Sequence, residues 1–343
     1  VIKMTKTYSM NTMTWRGDNN FTSDQVQIPE VIDNTCLIEI DTAGICGTDI
    51  HITQGLFPSP KDVVLGHEFS GKVVEVGKGV DKNLLGQLIT AQTVGGCEEC
   101  ESCKKWSFSH CEINVRRAGA FSQYVLVDEK GISLIPDNLS IQNAALTEPA
   151  ACSLSCVEML TKPLPKSTAV VIGNGLLGLS TIYFLKDMGI DKIISSEIAE
   201  SRRNLAKLFG SDITIDPTKT DLAEVVETET NGYGADIVAE AVGNPNVIKN
   251  CFELIRPRGQ MLLVGVHPKG SYLPFDLHDL HFKEISIFGA FGAGNSFKRA
   301  LNHLPNMPLE NIVSGRYPLE RLPEAIEKSA NAEGIKFVIG PND

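Results

Sequence analysis

No stretch of this chain approaches the roughly 18–20 consecutive apolar residues that a membrane-crossing helix needs. Its opening residues, VIKMTKTYSMNTMTW, lack the apolar run of an export signal. Basic residues are in deficit, 31 Lys and Arg against 42 Asp and Glu, for a net charge of −11. A nucleic-acid backbone needs the opposite balance, which argues against such a partner. A small anionic cofactor remains open, because backbone amides can hold phosphate locally. Internal repeats and low-complexity tracts are missing too. Nine cysteines form an odd set in a chain without an export signal, which points to a reducing compartment and hence the cytoplasm. What is present is the mix of an ordinary soluble globular protein, 42% hydrophobic and 21% charged over 343 residues. That length allows about two domains.

The patterning changes twice along the chain. From about Thr12 to Leu146, β-branched runs broken by glycine (CLIEIDTAG, GKVVEVGKG, FSQYVLVDEKG) suggest compact antiparallel β structure. Between about Ser167 and Phe288, short apolar strands (AVVIG, KIISSE, ITID, DIVAEAVG, GQMLLVGV, ISIFG) alternate with amphipathic segments such as LLGLSTIYFLKDMG and ESRRNLAKLFG. That alternation predicts βαβ units and a doubly wound parallel sheet. The tail, with a helix in LERLPEAIEKSANAEG and a strand in GIKFVIGP, is too short to stand alone and is expected to rejoin the first region. The expected division is 1–148 with 285–343, and 149–284.

The strongest local signal is GGCEECESCKKWSFSHC, which places Cys97, Cys100, Cys103 and Cys111 in one loop. Four thiolates this close repel one another unless a soft cation neutralises them, and tetrahedral zinc accepts four sulfurs. With no open position such a zinc is structural. An iron–sulfur reading fits a different spacing followed by proline, which this loop lacks.

A second signal is VVIGNGLLGLS, with Gly173, Gly175 and Gly178 as G-x-G-x-x-G between an apolar strand and a helix, Leu176 and Leu177 opening that helix. The first glycine permits the tight turn, the second lets a pyrophosphate approach, and the third lets helix and strand pack. About twenty residues on, Glu197 ends the next strand, where an acid would hold the adenosine ribose hydroxyls and repel a 2′-phosphate. NAD is therefore expected over NADP. Arg202 and Arg203 are the counter-signal, since they could accommodate that phosphate, although solvent-facing helix positions are the simpler reading.

A third set is AGICGTDIH (Cys46, Thr48, Asp49, His51) and LGHEFSG (His67, Glu68). Cys46 and His67 offer the sulfur and nitrogen that zinc prefers, with coordination left open as catalysis requires. Taken alone, a cysteine and a histidine this far apart are more often packed core residues.

In order along the chain, GICGTDIH, GHEFSGKVVEVGKGV, the four-cysteine loop and the Gly-rich turn resemble zinc-containing medium-chain alcohol dehydrogenases, and most of all the polyol, butanediol and threonine dehydrogenase branch. The resemblance implies a GroES-like catalytic domain with two zincs, and a Rossmann coenzyme domain. It makes Glu148, in TEPAACS, the third protein ligand beside Cys46 and His67, with Glu68 exchanging against water or standing behind the ligands. It makes Asp49 the hydrogen-bond acceptor that fixes the His67 ring. A zinc that lowers a bound hydroxyl's pKa from 15.7 toward about 7 puts an alkoxide within reach near neutral pH. Thr48 would take the alcohol proton and pass it through the nicotinamide ribose to His51. Val242 is expected on the adenosine side of the cofactor, Val264 to Val266 on the nicotinamide side, and Phe291 near the nicotinamide. The implied reaction is oxidation of a secondary, polyhydroxylated or amino alcohol to a ketone by NAD, in a homodimer or homotetramer. Its rivals are an NADP-dependent secondary-alcohol dehydrogenase or carbonyl reductase, a zinc-free reductase of the wider superfamily, and a non-enzymatic nucleotide-binding protein on the same scaffold.

Overall fold

A computed structural model describes residues 9–93, 96–105, 107–113, 119–161, 165–272 and 276–343. Residues 1–8, half of the segment read for an export signal, lie outside the described residues, as do Gly95 and Trp106 of the four-cysteine segment.

The first stretch supplies β1 (Ser9–Gly17), β2 (Asn20–Gln27), β3 (Thr35–Gly44), β4 (Val63–Val64), β5 (Glu68–Val76), β6 (Leu88–Ala91), β7 (Tyr124–Asp128) and β8 (Ile132–Leu134). The central stretch supplies β9 (Thr168–Ile172), β10 (Lys192–Ser196), β11 (Ile213–Ile215), β12 (Ala235–Glu240), β13 (Ile255–Leu263) and β14 (Ser286–Gly289). The tail adds β15 (Val313–Pro318) and β16 (Lys336–Gly340).

Two compact units result: Val1–Glu148 with Phe297–Pro305 and Leu309–Asp343, and Pro149–Ser296 with Asn306–Pro308. The second crossing corrects the expected return at residue 285. Its cause is β14, whose SIFG run pairs in parallel with β13 and so extends the central sheet.

In the first unit, β3 is the spine of a sheet ordered β15-β16-β3-β5-β6-β8, with β7 also paired to β3. Its TCLIEIDTAG run is buried along nearly its whole length, as expected of a strand covered on both faces. Ile38, Ile40, Phe69, Ile89, Phe121 and Phe337 build the core around it. A smaller β2-β1-β4 sheet completes the unit.

The second unit is a parallel sheet ordered β11-β10-β9-β12-β13-β14. This is the strand order of doubly wound dinucleotide folds, with the reversal between β9 and β12. The TAVVI run of β9 is buried throughout, which fits a central strand with helices on both faces. No helix among the described residues is long and apolar enough to cross a membrane.

Candidate metal centres and dinucleotide site

Cys46 ends the β3 exit and stands as N-cap of the short helix Gly47–Thr53. Asp49, on that helix's first turn, is buried and spends its carboxylate on two loops. Oδ2 accepts from Cys46 N at 2.9 Å, and Oδ1 accepts from Gly66 N at 3.3 Å. One side chain thereby sets the distance between the two ligand-bearing turns. Gly66 has to be glycine, since its φ is +90° and a Cβ would meet Phe121 atoms at 3.1 Å.

The donor atoms of Cys46, His67 and Glu68 lie within 4.8 Å of one another. Burial pulls the His67 imidazolium down, but the charges of Cys46, Asp49 and Glu148 outweigh it and push the group well above the ordinary histidine value. A cluster that attracts a proton this strongly, with the Glu68 Oε1 atom buried and lacking a hydrogen-bond partner among the described residues, suits a divalent cation. Glu148, in the first turn of the helix Thr147–Val157, stands outside the 4.8 Å group, yet its charge reaches His67. Asp49 differs from expectation. His67 Nδ1 lies 3.9 Å from its Oδ1, beyond hydrogen-bond range, while the carboxylate accepts from two backbone amides.

Lys336 was not legible as part of this site. It is buried in β16, donates to Ile45 O at 2.7 Å, and forms an ion pair with Glu68 Oε2. Burial pulls its ammonium down, and the charges of Glu68, Cys46 and Asp49 more than reverse this, so it stays charged. Gly44 makes the room, since a Cβ there would sit 2.3 Å from Glu68 Oε2. The available hint was a lone lysine in an otherwise apolar strand, because buried charges require partners.

His51 lies on the same short helix, half-buried, its ring edge-on to Phe57 at 4.9 Å. Its Nδ1 is buried and has no hydrogen-bond partner among the described residues. Burial lowers its pKa, so the ring is neutral near pH 7 and able to accept a proton. Thr48 is half-buried one turn before it.

The four-cysteine loop closes on itself. The sulfurs of Cys97, Cys100, Cys103 and Cys111 lie within 4.8 Å of one another, and His110 is not of the group. Backbone amides point at the sulfurs: Cys100 N and Glu99 N donate to Cys97 Sγ at 3.2 and 3.3 Å, and Cys97 N to Cys111 Sγ at 3.4 Å. Amides of Glu112 and Cys103 lower the Cys100 thiol to about 6, whereas burial pushes Cys103 up to about 12. Amide donors around four gathered sulfurs suit a cation bound by thiolates.

In the second unit, Gly175 is the N-cap of the helix Leu176–Asp187 and no side chain caps it, leaving the first amides to a ligand. Gly173 takes φ +91°, and a Cβ on Gly178 would fall 1.8 Å from Gly173 O. Glu197 is buried. Its Oε2 accepts from Asn174 N at 2.9 Å and its Oε1 from Ala199 N at 3.0 Å, so it braces the Gly-rich turn from below. Asn174 itself, fully buried and bonded to Ser195 Oγ at 3.2 Å, was not singled out in the sequence because any residue fits that motif position. Arg203 corrects the solvent-facing reading. Its guanidinium donates to Glu197 O and Ile198 O at 2.8 and 2.6 Å and pairs with Asp216 at 3.5 Å, which ties it to the strand ends. Arg202 is half-buried beside it. Val242, Val266 and Phe291 leave about half of their surfaces open, at 49%, 53% and 57%. Val264 and Leu176 turn into the core, so they can offer a cofactor only backbone, while Leu177 is half-buried.

Fold and donor sets together define a metalloenzyme class with a dinucleotide-binding sheet. The alcohol dehydrogenase GroES-like domain matches residues 32–137, and the zinc-binding dehydrogenase domain matches 177–306. D-arabitol-phosphate dehydrogenase of Enterococcus avium is 34% identical over 92% of this chain and 93% of its own length. Sorbitol dehydrogenase of Bacillus subtilis is 29% identical over 93% and 94%. A zinc-binding dehydrogenase structure from Sinorhizobium meliloti bound to NADP superposes with a TM-score of 0.89 at 30% identity, covering 97% of this chain and 100% of that one. The chain belongs to the zinc-binding alcohol dehydrogenase family. It is an oxidoreductase acting on the CH–OH group of an alcohol, with zinc and a nicotinamide dinucleotide as cofactors.

Proposed function

We propose that the protein oxidises a secondary alcohol of a polyol to a ketone with NAD. The observation that carries this reading is the Cys46, His67 and Glu68 donor set gathered by Asp49, with Glu148 at its margin. The names of the polyol relatives support the substrate class. The buried Glu197 carboxylate and the engaged Arg203 favour NAD over NADP.

Cys46, His67 and a carboxylate would hold the zinc, which would supply Lewis acidity toward the alcohol, and the Gly-rich turn would hold the dinucleotide, which would supply the hydride acceptor. Thr48 takes the proton, and the neutral His51 ring receives it and returns it to solvent. Lys336 keeps the Glu68 charge compensated, and the four-cysteine zinc braces its loop.

The test is NAD reduction on a panel of polyols and amino alcohols, followed across pH. We expect polyol turnover with an acidic limb below about pH 6.5. The sign follows from burial. The charged ring is disfavoured, so activity is retained until the pH falls through the lowered His51 value. His51→Gln should lower neutral-pH turnover by about 10²-fold and remove that limb. Polyols left untouched while simple alcohols react would overturn the substrate class. A limb unchanged in the variant would remove His51 from the relay.

The reading includes a homodimer or homotetramer. Supporting it, β14 is the last strand of its sheet, and Leu277 and Phe282 beside it are 71% and 70% exposed. Sedimentation as a monomer would count against it. A cytoplasmic setting is supported by the odd number of cysteines, nine, of which five are read as zinc ligands.

A further inference from the structure

Glu240 ends β12 with a fully buried side chain. Its Oε1 accepts from Val242 N and Gly243 N, both at 2.8 Å. Its backbone oxygen accepts from Val264 N and Gly265 N, also at 2.8 Å. A single residue thus ties together the exits of two adjacent parallel strands. Oε2 is the exception. It has no hydrogen-bond partner among the described residues and faces His267 Nε2 at 3.5 Å, an atom likewise without one.

The strand exits crowd closely around the pair. A Cβ on Gly265 would meet Glu240 Oε2 at 2.8 Å and Gly243 N at 2.3 Å, and one on Gly243 would meet Val266 O at 2.6 Å. Two glycines therefore let the strand exits close around the carboxylate. A gap of 3.5 Å between heavy atoms is also too narrow for a bridging water. Buried polar atoms are rarely left unsatisfied, and those that are call for an explanation such as a stored strain or a missing ligand.

Position supplies that explanation. In open parallel sheets ligands bind past the carboxyl ends of the strands where strand order reverses, here between β9 and β12. Val242, next to this pair, packs so near the Gly-rich turn that a Cβ on Gly173 would lie 2.6 Å from its Cγ2. Val266, adjacent to His267, keeps half its surface open.

We propose that His267 and Glu240 form a latch that closes when the dinucleotide binds. His267 Nε2–H then donates to Glu240 Oε2 and fixes Val264–Val266 against Val242–Gly243. His267 is a positioning residue for the cofactor and takes no part in hydride or proton transfer. The proposal rests on the reading that these strand exits wall the dinucleotide site.

The test compares His267→Leu and His267→Gln with the native holoenzyme, by NADH fluorescence titration, KM for NAD, KM for alcohol and zinc content. Loss of one hydrogen bond to a charged group should raise the NADH Kd and the KM for NAD about tenfold in the leucine variant. The KM for alcohol and the zinc content should not move. Glutamine, which carries an N–H at a similar reach, should restore most of the affinity. In native protein labelled at its seven histidines, the ring signal missing from the glutamine variant should shift when NADH is added. Native NADH affinity in the leucine variant, a glutamine variant as weak as leucine, or a ring signal that NADH leaves in place would each overturn the latch. Should the leucine variant fail to fold, the glutamine variant and the ring signal decide. Gly178→Ala separates the two levels. If it keeps NADH, the underlying reading of the site fails, whereas its loss of NADH beside a normal His267→Leu would sink the latch alone.

Discussion

Cys46→Ala is expected to halve the zinc content and to lower alcohol oxidation by about 10³-fold or more, because a Lewis acid is worth several kcal/mol to an alcohol and each 1.36 kcal/mol is tenfold in rate. The retained ion is the one held by the four cysteines, a separate donor group in a separate loop. Removing the thiolate leaves His67, the Glu68 carboxylate already paired to Lys336, and Glu148 at the margin of the group, a set without the sulfur donor and too weak to hold zinc. Asp49 still clamps the two turns through the Cys46 and Gly66 amides, so the fold should survive. The measurement is metal content by mass spectrometry beside NAD reduction. Full zinc content, or full activity with half of it, would remove Cys46 from the reacting centre.

Gly178→Ala should abolish useful cofactor affinity while leaving both metals in place. The added methyl would lie 1.8 Å from Gly173 O and 2.9 Å from Gly173 C, both backbone atoms that cannot swing aside. The helix Leu176–Asp187 must move off β9, carrying its uncapped amides with it. Overpacking of this kind costs about 1–3 kcal/mol, and expressed in binding it approaches a hundredfold weaker NADH. NADH titration with zinc content as the control checks this. Native affinity in the variant would mean that the phosphates are held elsewhere.

The two predictions rest on features that differ in how far they could be read from the chain alone. The Gly-rich turn and the four-cysteine loop are local, their spacing set by one turn of backbone, so both were legible before any fold was known. Cys46 and His67 needed the resemblance, since nothing in their own spacing distinguishes ligands from core residues. Lys336 and the pairing of Glu240 with His267 were not legible. Each acquires meaning only from strand register, which brings Lys336 to Ile45 and sets the β13 exit beside β12. The strand Val313–Pro318 escaped notice because VSGRYP carries a glycine and a proline and no clear alternation. Strand β14 was seen as a strand but assigned to the wrong unit, because sequence shows a strand's existence and not its neighbour.

The lysine that neutralises Glu68 lies 291 residues after its other partner, Ile45. A chain leaving the ribosome therefore presents its ligands early and the counter-charge only after the parallel sheet has been made. Until β16 emerges, β3 lacks one of its neighbours, although β5 and β7 are already made, and Glu68 lacks the Lys336 charge it is buried with. The order of synthesis thus defers closure of the reacting centre until after the parallel sheet is made, and a message cut short before β16 would yield a nucleotide-binding sheet without a finished centre for chemistry.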